Sequence, residues 1–318
     1  MSAQTHILVL GAGELGMSVL RSLIGRTRGR NDIALSALLR ASTLSSDEPA
    51  KQSDMAELRR AGVDLVPGDL AALPANDLAD IFRRFDVVVS CTGFVGGPGV
   101  QRKLAQAVLA AGVKRYFPWQ FGVDYDVIGR GSPQDLFDEQ LDVRDMLRAQ
   151  DKTEWVIVST GMFTSFLFEP VFGVVDLGQN TVNALGGWDT AVTVTTAGDI
   201  GALTAEILLM TPAVTNEIVF VAGDTVTYGE VADTVDAQLG GKVRRNVWTV
   251  PELERELAAD PQDSLKKYRA VFAQGRGVAW DKRETFNARH GIAVTDMRRW
   301  LVRHLAASDT TPRTGTTA

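Results

Sequence analysis

Short apolar runs alternate with segments of helical periodicity through the first half of the chain. Six runs are predicted to be β-strands: Ile7–Leu10, Ile33–Leu39, Val63–Val66, Asp86–Ser90, Val113–Phe117 and Trp155–Ser159. Between the runs, apolar residues recur at intervals of three and four, which is typical of helices with one buried face. Strands that alternate with helices form a parallel sheet covered on both faces. We therefore predict an α/β fold with a Rossmann-type, doubly wound parallel sheet.

Local signals predict where the helices of this half begin and end. Residues 54–61, 79–85 and 100–111 are predicted to be helical, and Gly62 ends the first of these. Another helix is predicted from Ser132 to about Gln150. Its start carries a serine cap, a proline at the first helical position and an acid at the third, Asp135.

The alternation loosens in the second half, where shorter elements are predicted. Strands are expected at 171–185, with a turn at 178–180, and at 191–195 and 217–222. Helices are expected at 199–209 and 295–306, and the segments 243–250, 251–258 and 263–273 lie between them without an assigned type. A capping box, Thr227 with Glu230, starts a further helix that ends at Gly240. No linker separates these elements from the first half. We predict an NAD(P)-binding Rossmann domain at 1–165, a smaller α/β substrate-binding region at 166–307 and a disordered tail at 308–318.

A glycine motif, Gly11-Ala12-Gly13-Glu14-Leu15-Gly16, joins the first predicted strand to the first predicted helix. In this context Gly11 permits a sharp turn, Gly13 lets the backbone approach a pyrophosphate, and Gly16 allows the helix to pack close to the strand. The helix then offers its unpaired amides to the phosphates. A structural turn is the alternative, but the position and the flanks favour a dinucleotide site.

The end of the second predicted strand indicates which dinucleotide is bound. An NAD site has a carboxylate there, which binds the ribose hydroxyls. This strand ends instead in Arg40, followed by Ser42 and Thr43. A guanidinium with neighbouring hydroxyls suits a 2′-phosphate. We therefore predict NADP(H) as the cofactor.

Ligands of doubly wound sheets lie outside the carboxyl ends of the strands. Asp69 follows the third strand and is predicted either to contact the adenine or to cap its own turn. Cys91 follows the fourth strand and is predicted to be a small buried residue rather than a nucleophile. The predicted cofactor-binding set is Gly11, Gly13, Glu14, Leu15, Gly16, Arg40, Ser42, Thr43, Asp69, Leu70, Cys91, Thr92, Gly93, Gln120, Phe121 and Gly161.

Aromatic side chains recur after successive strand ends, where the same rule places ligands. A core role is the alternative for each of them alone, but their recurrence favours a flat aromatic substrate. The predicted substrate-contacting residues are Phe94, Trp119, Met162, Phe163 and Phe166.

Composition and charge exclude several classes of function. The net charge of −6 argues against an obligate nucleic-acid partner. The three histidines have no ligand spacing, so no metal is expected. One cysteine fits a reducing compartment, and neither a signal peptide nor an apolar run long enough to span a membrane is visible. We expect a cytoplasmic protein whose partner is a small aromatic molecule; the oligomeric state stays open.

Several of these motifs together resemble the NmrA-like, isoflavone-reductase-like family, an atypical branch of the short-chain dehydrogenases. The resemblance is carried by the glycine motif, Leu39–Thr43, Pro67–Leu70, Val113–Pro118, Gln120–Gly122 with Asp124, and Thr160–Phe168. It implies an NADPH-binding protein, usually a reductase of aromatic or secondary-metabolite substrates, although some members are cofactor-sensing regulators.

The resemblance also implies roles for individual residues. Arg40 matches the family's arginine after the second strand, and Phe121 matches its phenylalanine beside the cofactor. Trp119-Gln120 replaces the family's usual Ser-Glu, so that a carboxylate is lost. Anchored on Phe137 and on Val143-Arg144, the family's catalytic lysine falls on Gln140.

The sequence leaves the proton donor and the reaction class open. Gln140 can donate a hydrogen bond but cannot titrate. Tyr125 and Asp124 are the further catalytic candidates, with Asp138 and Glu139 as titratable neighbours; no tyrosine has a lysine four residues on. Three functions follow: reduction of a carbonyl or imine, a non-redox cyclisation or condensation, and non-enzymatic sensing of NADP(H).

Overall fold

A computed structural model describes residues 4–94 and 96–310. Up to Ser159 the strands are β1 (Thr5–Leu10), β2 (Ile33–Leu39), β3 (Asp64–Pro67), β4 (Val87–Ser90), β5 (Arg115–Phe117) and β6 (Glu154–Ser159). The helices there are α1 (Glu14–Thr27), α2 (Ala41–Leu44), α3 (Pro49–Arg60), α4 (Ala75–Phe82), α5 (Val100–Ala111), α6 (Tyr125–Ile128) and α7 (Leu136–Arg148).

From Thr160 onward the elements are shorter on average. The strands are β7 (Met162–Phe163), β8 (Val175–Asp176), β9 (Thr181–Leu185), β10 (Ala191–Thr195), β11 (Glu217–Phe220), β12 (Asp224–Thr227) and β13 (Arg244–Trp248). The helices are α8 (Thr164–Leu167), α9 (Ala197–Leu209), α10 (Tyr228–Leu239), α11 (Val250–Ala259), α12 (Ser264–Ala273), α13 (Phe286–Arg289) and α14 (Met297–Thr310).

The main sheet has seven strands in the order β11-β6-β5-β4-β1-β2-β3, and every neighbouring pair is parallel. The strand order reverses between β1 and β4, which is the switch point of a doubly wound sheet. Ile7–Leu10 are fully buried, as an apolar central strand covered on both faces requires. Helix α1 buries Leu15, Val19, Leu20 and Leu23, the stripe that its spacing predicts. The predicted Rossmann-type fold is confirmed.

The chain forms two compact units. Of the described residues, the first unit holds those up to Ser159 together with Ala197–Val221; the second holds Thr160–Thr196 and the described residues from Ala222 onward. The sequence pattern predicts a single boundary near residue 165, whereas the chain returns to the first unit. There α9 packs on α1, and β11 pairs with β6 as the edge strand of the sheet.

A glycine explains why α9 approaches α1 so closely. A Cβ at Gly201 would lie 2.4 Å from the backbone carbon of Ser18, so no larger residue fits between the two helices. Residues 197–221 thus belong to the unit that contains the seven-stranded sheet, not to the second unit.

The second unit contains two three-stranded sheets, β12-β10-β7 and β13-β9-β8. Strands β8 and β9 are antiparallel across the predicted turn at 178–180. Thr227 and Glu230 form the predicted capping box of α10, and Gly240 ends that helix. A second capping box, Thr249 with Glu252, starts α11.

Helix α7 begins three residues later than predicted. Its N-cap is Asp135, not Ser132. The Ser132 hydroxyl donates to the carbonyl of Gln134, and the side-chain oxygen of the buried Gln134 accepts from the Leu136 amide. These local bonds hold a turn where the serine and proline signals predict the first helical turn.

Other boundaries differ at the ends of helices. Helix α3 begins at Pro49, before the predicted start at residue 54, and α4 covers Ala75–Phe82 where 79–85 is predicted. Helix α14 continues to Thr310, beyond the predicted start of the tail at 308; the rest of that tail, 311–318, lies outside the described residues. Among the described helices, none has both the length and the apolarity needed to cross a membrane.

Candidate functional site

The glycine turn between β1 and α1 leaves room for a ligand at the helix end. Gly11 has φ +88°, which favours glycine, and a Cβ at Gly16 would lie 2.1 Å from the Gly11 carbonyl oxygen. Gly13 is the N-cap, and it has no side chain to cap the helix. Apart from its own atoms and those of its two chain neighbours, no heavy atom of the described chain lies within 4 Å of where its Cβ would be. The first amides of α1 are therefore available to an anion such as a pyrophosphate.

Arg40 and Asp69 stand at adjacent strand ends, because β2 and β3 pair with Leu39 opposite Pro67. The carboxylate of Asp69 accepts hydrogen bonds from the amides of Ala71, at 2.9 Å, and Ala72, at 3.1 Å. The pKa of Asp69 lies below its usual range. The hydrogen bond from Ala72 contributes most to this lowering, followed by the one from Ala71, and the charge of Arg40 adds to it. Asp69 thus caps its own turn, which is one of its two predicted roles.

Arg40 itself is exposed at the carboxyl edge of the sheet. Within the described chain it forms no ion pair, and Ser42 and Thr43 lie in the short helix α2 that follows it. A guanidinium that forms no ion pair with any described carboxylate, and that has two hydroxyls beside it, fits a 2′-phosphate.

The end of β4 places Cys91 and Thr92 beside the glycine turn. Cys91 is buried, and burial raises the pKa of its thiol, so that it stays protonated and unreactive. The methyl group of Thr92 would lie 2.9 Å from a Cβ at Gly11, and its hydroxyl is a buried group with no hydrogen-bond partner among the residues described. A buried hydroxyl without a partner at this edge suits contact with a ligand.

A buried polar network follows β5. Gln120, Gln140 and Arg144 are each fully buried. Arg144 Nε donates to Gln120 Oε1 at 2.7 Å, and Gln120 Nε2 donates to the carbonyl of Gln140 at 2.8 Å. The side-chain amide of Gln140 is different, because neither its oxygen nor its nitrogen has a partner in the described part of the chain. An unpartnered buried amide is costly unless a ligand or water satisfies it.

Carboxylates on and beside α6 balance the charge of Arg144. Its Nη1 lies 2.7 Å from Asp126 Oδ2 and 3.7 Å from Asp124 Oδ1. Arg148 and then Arg144 hold the pKa of Asp126 below its usual range. Asp124 also caps α6 by accepting from the Val127 amide.

Tyr125 is buried beneath this network. Its ring packs edge-on against Phe137, with centroids 5.0 Å apart, and the Arg144 guanidinium carbon lies 5.1 Å from its centroid. Asp124 and Tyr125 both have structural contacts, and their catalytic roles remain predictions.

A family model described as the NmrA-like family matches residues 3–283. The chain belongs to the NmrA-like family. A Gibberella moniliformis protein described as an NmrA-like family domain-containing oxidoreductase is 48% identical over 297 residues, covering 93% of this chain and 97% of that protein. An isoflavone reductase homologue of Zea mays is 30% identical over 258 residues and covers 79% of each chain. The predicted family resemblance is confirmed.

The fold is shared with solved reductases. The leucoanthocyanidin reductase–NADPH complex of Vitis vinifera superposes with a TM-score of 0.78 at 17% identity, covering 95% of this chain and 99% of that one. At this identity the likeness concerns the fold.

The predicted substrate residues divide between the two units. In the first unit, Phe94 and Trp119 form an edge-to-face pair with centroids 4.6 Å apart. In the second, Met162 is buried in β7 and Phe163 is half-buried. Phe166 stacks on Phe172 at 4.5 Å, so this ring is at least partly a packing residue.

Gly161 and two leucines of the predicted cofactor set have clear packing reasons. A Cβ at Gly161 would lie 2.1 Å from the Thr193 carbonyl oxygen, so strand β10 requires glycine there. The side chains of Leu15 and Leu70 are both buried, and that of Leu70 packs in the apolar core.

Sequence reasoning missed two buried charges on α7. At the level of the sequence, Arg144 is used only to anchor the match to the family, and Glu139 is treated only as a titratable candidate. In the structure, the carboxylate of Glu139 accepts hydrogen bonds from backbone amides at the start of α5. The missed signal is positional. Arg144 falls on the helical stripe of Phe137, Leu141 and Leu147, where a charged residue must be paired inside the protein.

Proposed function

We propose that this chain is an NADP(H)-dependent reductase of an aromatic or secondary-metabolite substrate of carbonyl or imine type. The observation that carries the proposal is the open amino end of α1 behind the Gly11–Gly16 turn, together with an exposed Arg40 after β2. The printed names of the relatives support it, since they are oxidoreductases and reductases and one solved neighbour is an NADPH complex.

The cofactor would be held by groups at the carboxyl edge of the sheet. Backbone amides from Gly13 to Gly16 would bind the pyrophosphate, and Arg40 with Ser42 and Thr43 would bind the 2′-phosphate. Asp69 and Leu70 would lie at the adenine. The nicotinamide end would meet Cys91, Thr92, Gly93, Gln120 and Phe121. When bound, NADPH supplies the hydride.

Gln140 would orient the substrate. Its amide is fully buried and has no partner among the described residues, so it has both a donor and an acceptor to offer to a substrate oxygen or nitrogen. Because an amide does not titrate, Gln140 can polarise a group but cannot deliver a proton. An iminium substrate, which needs no proton at carbon, suits such a site. Tyr125 and Asp124 are the candidates if a proton donor is required.

The side-chain amide of Gln140 is also compatible with a non-redox cyclisation or condensation, which is the second candidate function. A buried group that orients without titrating serves a reaction in which the nucleotide only shapes the site. Sensing of NADP(H) without turnover is the third candidate.

Stoichiometric NADPH consumption with a panel of aromatic carbonyls and imines tests the first proposal. Consumption matched by reduced product supports the reductase. Product without consumption supports the non-redox reaction. Tight NADPH binding with no turnover of any panel member supports the sensor and contradicts both enzymes.

A further inference from the structure

The carboxylate of Glu139 lies at the amino end of α5. Its Oε2 accepts from the amide of Gly99 at 2.7 Å, and its Oε1 accepts from the amides of Gln101, at 2.8 Å, and Arg102, at 3.1 Å. Glu139 is only 6% exposed. Both of its oxygens are therefore engaged by the backbone donors that the positive end of a helix presents.

The same helix end is tied to Phe94. Gln101, whose amide Glu139 holds, donates from its own side chain to the carbonyl of Gly93, the residue before Phe94. The ring of Phe94 lies edge-on to Trp119 at an interplanar angle of 75°, and both rings are half-buried. Glu139 thus reaches this aromatic pair through α5 and Gly93.

Helix α7 also fixes the other member of the pair. The carbonyl of Gln140 accepts from the side chain of Gln120, which directly follows Trp119. Two consecutive residues of α7, Glu139 and Gln140, therefore hold the segments that carry Phe94 and Trp119.

We infer that Glu139 is a positioning residue for the recognition of a flat aromatic ligand, because it fixes the Phe94–Trp119 pair on which the ring of that ligand stacks. The inference rests on the proposed function, since it takes this pair as part of the substrate site. Glu139 touches no ligand itself. Its negative charge already satisfies the amino end of α5.

A glutamine at this position cannot replace the carboxylate. It has one acceptor oxygen, and its NH₂ group would face backbone N–H donors. Glu139→Gln should therefore loosen the start of α5 and with it Phe94, while the α1 turn is unchanged. The affinity for an aromatic ligand should therefore fall, while the affinity for the nucleotide should stay nearly unchanged.

Two titrations of the full chain test this separation, one with NADP⁺ and one with 2-naphthol as the flat aromatic probe. We expect Glu139→Gln to weaken 2-naphthol binding about tenfold and to leave NADP⁺ binding within about twofold. Asp145→Asn is the matched control, since it removes the same charge from an exposed site on α7 where the carboxylate pairs with Arg130. In a Phe94→Ala background, Glu139→Gln should have no further effect on 2-naphthol.

Each contrary result has one meaning. Equal 2-naphthol affinity in the wild type and Glu139→Gln, or no 2-naphthol binding by the wild type, overturns the inference. Failure of the wild type to bind NADP⁺ contradicts the proposed function instead. If Glu139→Gln does not fold, Gln101→Leu removes the bond to Gly93 alone and should weaken 2-naphthol binding in the same direction; unchanged affinity there overturns the inference as well.

Discussion

The Nε of Arg144 donates to Oε1 of Gln120 at 2.7 Å, and both side chains are fully buried. Gln120 also forms a second hydrogen bond, in which its Nε2 donates to the carbonyl of Gln140. The residue at 120 must therefore accept on one side and donate on the other. An amide does both, whereas a carboxylate only accepts. The glutamine that replaces the family's usual glutamate is thus matched to its two neighbours.

Gln120→Glu should destabilise the protein despite placing a carboxylate beside Arg144. The introduced carboxylate can no longer donate to the Gln140 carbonyl, and two acceptors then face each other inside the protein. We expect a loss of about 1–3 kcal/mol in the free energy of unfolding, measured by urea denaturation. The exposed Gln106→Glu on α5 is the control and should change little. A stability equal to that of the wild type contradicts the two-sided role of Gln120.

Acid should remove the contribution of Asp126 to stability. Arg148 and Arg144 lower the pKa of Asp126 in the folded protein below the unfolded value of about 3.9. A lowered folded pKa gives stability that is complete above the unfolded pKa and is lost as the pH falls through the folded one. Asp126→Asn should therefore be less stable than the wild type near neutral pH, and the difference should shrink in acid.

Denaturation curves at several pH values check this expectation. The control is Asp47→Asn, because Asp47 is exposed and has no ion pair in the described chain. A difference between Asp126→Asn and the wild type that stays constant with pH would show that the ion pairs of Asp126 do not stabilise the fold.

Arg40→Glu should change the affinity for NADPH and the affinity for NADH by different amounts. The introduced carboxylate repels a 2′-phosphate but can bind ribose hydroxyls, so the affinity for NADPH should fall far more than that for NADH. Parallel fluorescence titrations measure both affinities. Equal losses for the two cofactors contradict a role of Arg40 at the 2′-phosphate.

Gln140 can be tested by two substitutions with opposite chemistry. Gln140→Ala removes the orienting amide and should lower single-turnover rates with a substrate identified from the panel. Gln140→Lys introduces a titratable group into a fully buried site, where desolvation lowers the pKa of the ammonium, so a new pH dependence of turnover should appear. NADPH affinity should be nearly unchanged in both. Single-turnover rates equal to that of the wild type in both variants would show that Gln140 does not contact the substrate.

Sequence reasoning reached the features that depend on local pattern. The buried strand β1, the glycine turn and the capping box of α10 each depend on residues that are close together in the sequence. The return of the chain to the first unit could not be predicted that way. Strand β11 pairs with β6 across some 60 residues, and α9 meets α1 through the small size of Gly201. Helix α7 shows competition among local signals, because Ser132 carries a capping pattern but bonds within a turn.

The most direct test of the central claim, that the amino end of α1 binds the nucleotide, compares two glycines near and within that helix. Gly13 and Gly25 both have open space where a Cβ would lie, so alanine fits at either position in the free protein. Only at Gly13 should the added methyl group meet a pyrophosphate. Calorimetric titration with NADPH should show affinity lost in Gly13→Ala and retained in Gly25→Ala, with both variants folded. Wild-type NADPH affinity in Gly13→Ala would contradict the claim.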